Sequence, residues 1–218
     1  MAIDRRIRAA PSGTSVLRGL VVGGRTGNEL LTAATGGVLI VLLAVIGVTI
    51  IALGPLLRVH LFVGMLLIGP VALKLSSTGY RFVRYYTSNP AYRRKGPPRL
   101  SLRLIAPAVV ISTVVVFASG VALLFAGPSS RGTLLPVHKV SFIVWGAFFA
   151  LHVLAHLPAI PRALRADYRR SPVLSQHPSG RTGRVLSLAS ALTAGAVVAI
   201  VLIPQFGPWL HAQNLHHH

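Results

Sequence analysis

One stretch, Leu134 to Pro158 (LLPVHKVSFIVWGAFFALHVLAHLP), sets the terms for the whole chain. A helix needs about 20 apolar residues to cross a bilayer, and this stretch supplies them. Yet it carries His138, His152 and His156. His138 and His152 are fourteen residues apart. At ~100° and ~1.5 Å per residue, that spacing leaves them within ~40° of one helix face and ~21 Å apart along the axis. His156 falls one turn further on, close to the same line. Ionisable side chains at membrane depth are costly and usually functional. Imidazoles at two depths on one face are what two stacked haems require of a helix. The plain alternative is a set of interfacial or hydrogen-bonded histidines without metal.

Composition sets the class. Of 218 residues, 53% are hydrophobic and only 11% charged, the make-up of a polytopic membrane protein rather than a soluble domain. The net charge of +19 comes from 22 Lys and Arg against three acids, Asp4, Glu29 and Asp167. The cations lie between apolar runs, which argues against nucleic acid as the partner and for membrane lipids. With no cysteine, disulfides, iron–sulfur clusters on Cys ligands and covalent haem attachment are all excluded.

Hydropathy predicts five spans: 31–53, 56–75, 104–126, 135–157 and 185–203. The first reads as a signal-anchor. Residues 1–30, a cytoplasmic arm, carry five arginines; 76–103 carry seven Lys or Arg, and 159–184 carry six. The other side has only Arg58, Arg131 and Lys139. Eighteen cations against three place the N-terminus inside and the C-terminus outside. The Arg-, Ala-, Gly- and Val-heavy, Lys-poor composition is associated with high-GC bacteria, so the expected location is a bacterial inner membrane. Residues 158–184 form a basic cytoplasmic loop. The loop after the second span interleaves Tyr80, Tyr85, Tyr86 and Tyr92 with arginines, an aromatic belt beside anionic headgroups. The fifth span, rich in Ala, Val and Ser, has the make-up of a packing helix. Residues 204–218 form an outer tail, with Trp209 as an interface anchor; His216 to His218 read as the remnant of a purification tag.

The second span holds His60 about one turn in from its outer end, and the fourth holds His138 near its own outer end. The two helices run parallel, so their imidazoles match in depth and can take both axial positions of a b-type haem. Arg58 and Lys139, each beside a candidate ligand, are candidates to pair with haem propionates; snorkelling is the alternative. A second haem at the level of His152 or His156 has no partner histidine on the other spans. Lys74 lies fourteen residues after His60, near that level, and Glu29 sits where the first helix enters the membrane. His152, His156, Lys74 and Glu29 are therefore candidates for an inner quinone pocket.

The segment from Ser119 to Leu157 (SGVALLFAGPSSRGTLLPVHKVSFIVWGAFFALHVLAHL) resembles the third and fourth helices of bacterial membrane cytochrome b subunits of the formate dehydrogenase gamma-subunit type. The resemblance extends over residues 31–157. It implies a four-helix core with two haems, the fourth helix giving a histidine to each at the spacing of His138 and His152. The second helix supplies the outer partner, matching His60. The first helix supplies the inner partner, and here this chain departs: Asn28, Thr32 and Thr35 occupy that end, with no histidine. Relatives of this kind bind quinone near the cytoplasmic haem and anchor molybdenum or iron–sulfur subunits.

The expectation is an all-α, polytopic membrane protein with a four-helix haem-binding bundle and a fifth transmembrane helix. It would carry one haem b, or two, and move electrons between quinone and an outer-face redox subunit. Homo-oligomers are compatible with it, and no dedicated catalytic residue is expected. Two alternatives are a stand-alone quinone-linked cytochrome b oxidoreductase and a non-haem histidine-rich membrane protein.

Overall fold

The computed structural model describes residues 24–87, 100–156 and 181–214, except the side chains of 24–26, 100–104, 155–156 and 214. The arm before Gly24, the stretch 88–99 with Tyr92, most of the basic 158–184 loop and the final histidines lie outside the described residues. Five long helices make up nearly all of the rest. These are α1 (Gly24–Ile51), α2 (Leu53–Tyr86), α3 (Leu100–Ala126), α4 (Arg131–His156) and α5 (Arg181–Val201). A short helix, α6 (Gly207–Asn214), follows a 3-10 turn at Ile203–Phe206. All five long helices are long and apolar enough to cross a membrane.

Large apolar side chains are exposed along all five long helices. Ile40, Ile111, Ile143, Leu154 and Ile200 are more than half exposed. The buried polar residues are small hydroxyls, among them Thr32, Thr35, Thr49, Ser77, Thr113, Ser119 and Ser141. Lipid chains and Leu side chains are equally apolar, so packing and interhelical hydrogen bonds select the interior instead. The hydroxyls satisfy themselves on the backbone, as Thr35 does by donating to the Leu31 carbonyl at 2.8 Å.

Helix ends extend beyond the apolar runs. α1 begins at Gly24, seven residues before the expected span, and α2 continues eleven residues past Leu75 to Tyr86. The 34 residues of α2 measure about 51 Å, against roughly 30 Å of hydrocarbon. Hydropathy marks where lipid ends, whereas helical hydrogen bonding continues until a stop signal. Tyr80, Arg81, Arg84, Tyr85 and Tyr86 therefore ride on a helix rather than a loop. Arg84 lies over the Tyr80 ring at 5.9 Å.

α2 is the hub. It packs along α1 on one side and along α5 on another, while α3 and α4 form a separate antiparallel pair. The α2–α5 crossing is unusually close. A methyl group on Gly69 would lie 2.0 Å from the Ala191 carbonyl oxygen, and one on Gly195 would lie 2.1 Å from that of Leu66. Pro70, fully buried inside α2, explains part of this. It has no N–H for the Leu66 carbonyl, and Gly195 of α5 lies directly against that oxygen. Ala191, Gly195 and Ala199 recur every four residues, the small-residue seam of membrane helix pairs.

The α1–α2 connection is a single residue, Ala52, and the α3–α4 turn is made by Gly127 at φ 72° followed by Pro128. Both turns lie at one end of the bundle. Phe206, Met65, Leu124 and Ala199 form a buried cluster there, tying α2, α3 and α5 to the C-terminal segment. The tail is thus a folded part of the bundle. α6 turns back over the end, with Trp209 Nε1 donating to the Leu124 carbonyl at 3.4 Å and Gln213 Nε2 donating to that of Gly54.

Candidate functional site

The two helix groups, α1–α2–α5 and α3–α4, touch sparingly, and a cavity of about 580 Å3 lies between them at the turn end. His60 of α2 and His138 of α4 both line it. Each stands seven residues in from the first residue of its helix, Leu53 or Arg131, about 10 Å of rise. The parallel course of α2 and α4 turns that equal count into equal depth.

The wall is apolar: Leu43, Ile46, Leu57, Leu61, Val116, Leu123 and Leu135 contribute to it. Gly64 faces it with nothing within 4 Å of where a Cβ would be. Gly120 serves the opposite purpose: a Cβ there would lie 3.0 Å from the His138 ring. α3 thus presents bare backbone against the imidazole, which lies close along it. Trp145, also in the wall, donates from Nε1 to Thr113 at 3.0 Å and stacks on Phe149 at 4.8 Å. Trp209, Ala212 and Gln213 of α6 add a third group of wall residues, and Arg131 and Lys139 contribute two cations.

Each histidine is held by a hydroxyl on a neighbouring helix. Thr49 Oγ1 of α1 stands 2.9 Å from His60 Nδ1 and donates its hydrogen to the Ile46 carbonyl at 2.7 Å. Ser119 Oγ of α3 stands 3.0 Å from His138 Nδ1 and 3.0 Å from Ser141 Oγ. Ser141 donates to the carbonyl of His138 itself at 2.8 Å.

Of the residues singled out in the sequence, the structure brings His60, His138 and Lys139 into one wall. Arg58 is exposed and stands outside it, while Arg131 takes a place in it that the sequence reading did not assign. Thr49, Ser119, Ser141, Trp145 and Gln213 were also missed. Their signal was weak, because Ser and Thr on apolar spans usually bond to their own helix. Thr49 and Ser119 are marked only by their place at an imidazole, Ser141 by its bond to Ser119, and Trp145 and Gln213 by their place in the wall.

The opposite end is built differently. His152 is half-buried on α4. His156 closes that helix, and its side chain lies outside the described residues. Lys74 turns to α1, donating to the Thr32 carbonyl at 2.6 Å, with Nζ 3.1 Å from where a Gly36 Cβ would sit. Asn28 donates to the Ser77 carbonyl at 3.1 Å, and the Thr32 hydroxyl donates to Ser77 Oγ at 3.1 Å. These bonds zip α1 to α2 where the resemblance would place an inner ligand. Glu29 is half-buried beside Asn28. Among the described residues, no three His, Cys, Asp or Glu side chains gather as a metal site.

No family model, curated protein or solved structure matches the chain.

Proposed function

We propose that this chain is a membrane b-type cytochrome that holds a haem between His60 and His138 and carries electrons between the quinone pool and a redox partner on the outer face. One observation carries the reading. Two imidazoles from parallel helices enter a single apolar cavity at one depth, each with Nδ1 against a hydroxyl, leaving Nε2 for a metal. The cavity volume of about 580 Å3 suits a small-molecule cofactor, and Gly64 leaves room on the α2 side.

A bound haem supplies the one-electron chemistry, and the chain supplies its setting. His60 and His138 are the residues that would hold its iron. The aliphatic wall keeps water out and lowers the local dielectric, which tunes the potential. Lys139 and Arg131 are the cations suited to two carboxylates, with Gln213 as a further donor nearby. The quinone partner, and an outer molybdenum or iron–sulfur subunit, rest on the resemblance noted above.

Oxidised and dithionite-reduced optical spectra, with haem assayed as its pyridine complex, test the proposal. A low-spin b-type spectrum is expected, lost in both His60→Ala and His138→Ala. Colourless protein from iron-replete cells would leave a non-haem membrane protein in its place.

A further inference from the structure

We infer that Thr49 and Ser119 are positioning residues for the two candidate axial histidines, each accepting the Nδ1–H of its imidazole and so presenting a bare Nε2 to the cavity. The inference concerns the same site and, as regards the metal, rests on the haem reading; its tautomer component does not.

A threonine hydroxyl has one hydrogen and two lone pairs. That of Thr49 is directed at the Ile46 carbonyl, which can only accept, at 2.7 Å. The 2.9 Å contact to His60 Nδ1 is then a hydrogen bond only if the ring donates. Thr49 is 1% exposed, so no bulk water competes for its hydroxyl. A neutral imidazole protonated at Nδ1 has its lone pair on Nε2.

The second ring reaches the same state through a longer chain. With the Ser141 hydrogen on the His138 carbonyl at 2.8 Å, Ser141 accepts from Ser119. Ser119 has the Val116 carbonyl at 3.0 Å and Ser141 Oγ at 3.0 Å as acceptors for its one hydrogen. If Nδ1 of His138 were bare, Ser119 would have three acceptors around it and no donor. With Nδ1 protonated, the ring donates to Ser119 and its own hydrogen goes on to one of the other two. Both serines are buried at 8% exposure. The division of labour runs across the bundle: α2 and α4 offer the rings, and α1 and α3 hold them. It gives α1, which carries no histidine, a part in the site.

Accepting a hydrogen bond from Nδ1–H makes the imidazole a stronger donor to a metal at Nε2, which favours the oxidised iron. Thr49→Val keeps the shape and removes the acceptor; Thr49→Ser restores it. Purified, haem-loaded Thr49→Val should keep its haem and its low-spin spectrum, show a raised midpoint potential and an altered low-temperature electron paramagnetic resonance signal, and revert toward wild type as Thr49→Ser. Ser119→Ala should do the same through His138, and stands in if Thr49→Val does not insert. Unchanged potential and resonance in both variants would overturn the inference and leave the haem reading intact. Nitrogen-15 spectra of histidine-labelled, haem-free protein give a readout that needs no cofactor. Nδ1–H at both rings is expected, and Nε2–H at both would overturn the assignment. A wild type that binds no haem would remove the reading, while those spectra still decide the tautomers.

Discussion

At the scale of single residues, the site depends on two glycines with opposite duties. Gly64 fronts the cavity with open space where its side chain would be. Gly64→Leu should therefore leave the fold intact and even gain up to ~1 kcal/mol of helix propensity, while filling the space a macrocycle needs. The expected outcome is normal expression and thermal stability with haem per chain falling to near zero, measured by the pyridine assay. Gly120 presses backbone against the His138 ring, with 3.0 Å to a notional Cβ. A methyl there pushes the imidazole off its seat, and overpacking of this kind costs about 1–3 kcal/mol. Gly120→Ala should keep some haem but hold it less firmly, seen as faster haem loss to a scavenger. A glycine in a membrane span is ambiguous on paper, because close helix packing, an open pocket and a ring seat all call for one. Only the neighbours tell them apart.

At the scale of elements, α2 is asked to do two things, and both faces of it show. One face offers His60 to the cavity; another meets α5 backbone to backbone, with Leu66 and Gly69 against Ala191 and Gly195. No side-chain shift can relieve a Cβ placed 2.1 Å from the Leu66 carbonyl oxygen, so a larger residue must part the helices. Gly195→Leu should lower the unfolding temperature in detergent, with a cost of about 3 kcal/mol or more. Gly37 and Gly47, with nothing within 4 Å, should tolerate Ala in the same assay. α5 was legible as a packing or docking helix from its Ala, Val and Ser content. Its partner was not, because a small-residue seam specifies close approach without naming the helix approached. The C-terminal segment was legible only as an interfacial anchor. Its role in the cavity wall depends on the 3-10 turn at Ile203–Phe206, which turns α6 back over the bundle.

At the scale of the whole molecule, charge predicts the direction of insertion. The chain has no cysteine, so one introduced thiol reports cleanly. Ser129, exposed at the turn between α3 and α4, and Thr87, exposed just past the far end of α2, mark the two sides. Ser129→Cys should react with an impermeant maleimide applied to spheroplasts, and Thr87→Cys only after permeabilisation. The reverse pattern would turn the proposed haem toward the cytoplasm. Haem content belongs to this scale as well. A histidine pair fills one cavity at the turn end, and a hydrogen-bonded zip of Lys74, Thr32, Asn28 and Ser77 fills the corresponding region at the other. One haem per chain is the expected stoichiometry, and two would require a ligand partner for His152 other than histidine.

The linear pattern determined the all-helical class, the five spans and the two histidines, because hydropathy, helix period and rare ionisable groups are properties of neighbours along the chain. Equal depth for His60 and His138 is what two parallel helices of known rise predict, and both rings line one cavity. What only the tertiary structure decided were contacts between helices distant in sequence: Thr49 at His60, Ser119 at His138, Arg131 rather than Arg58 in the wall, Lys74 turned onto α1. Rotation of each helix about its axis sets these contacts, and an apolar span surrounded by equally apolar lipid carries little amphipathic signal to fix that rotation. Close packing at glycines and the pairing of a few hydroxyls fix it instead, and both require the partner helix to be in place.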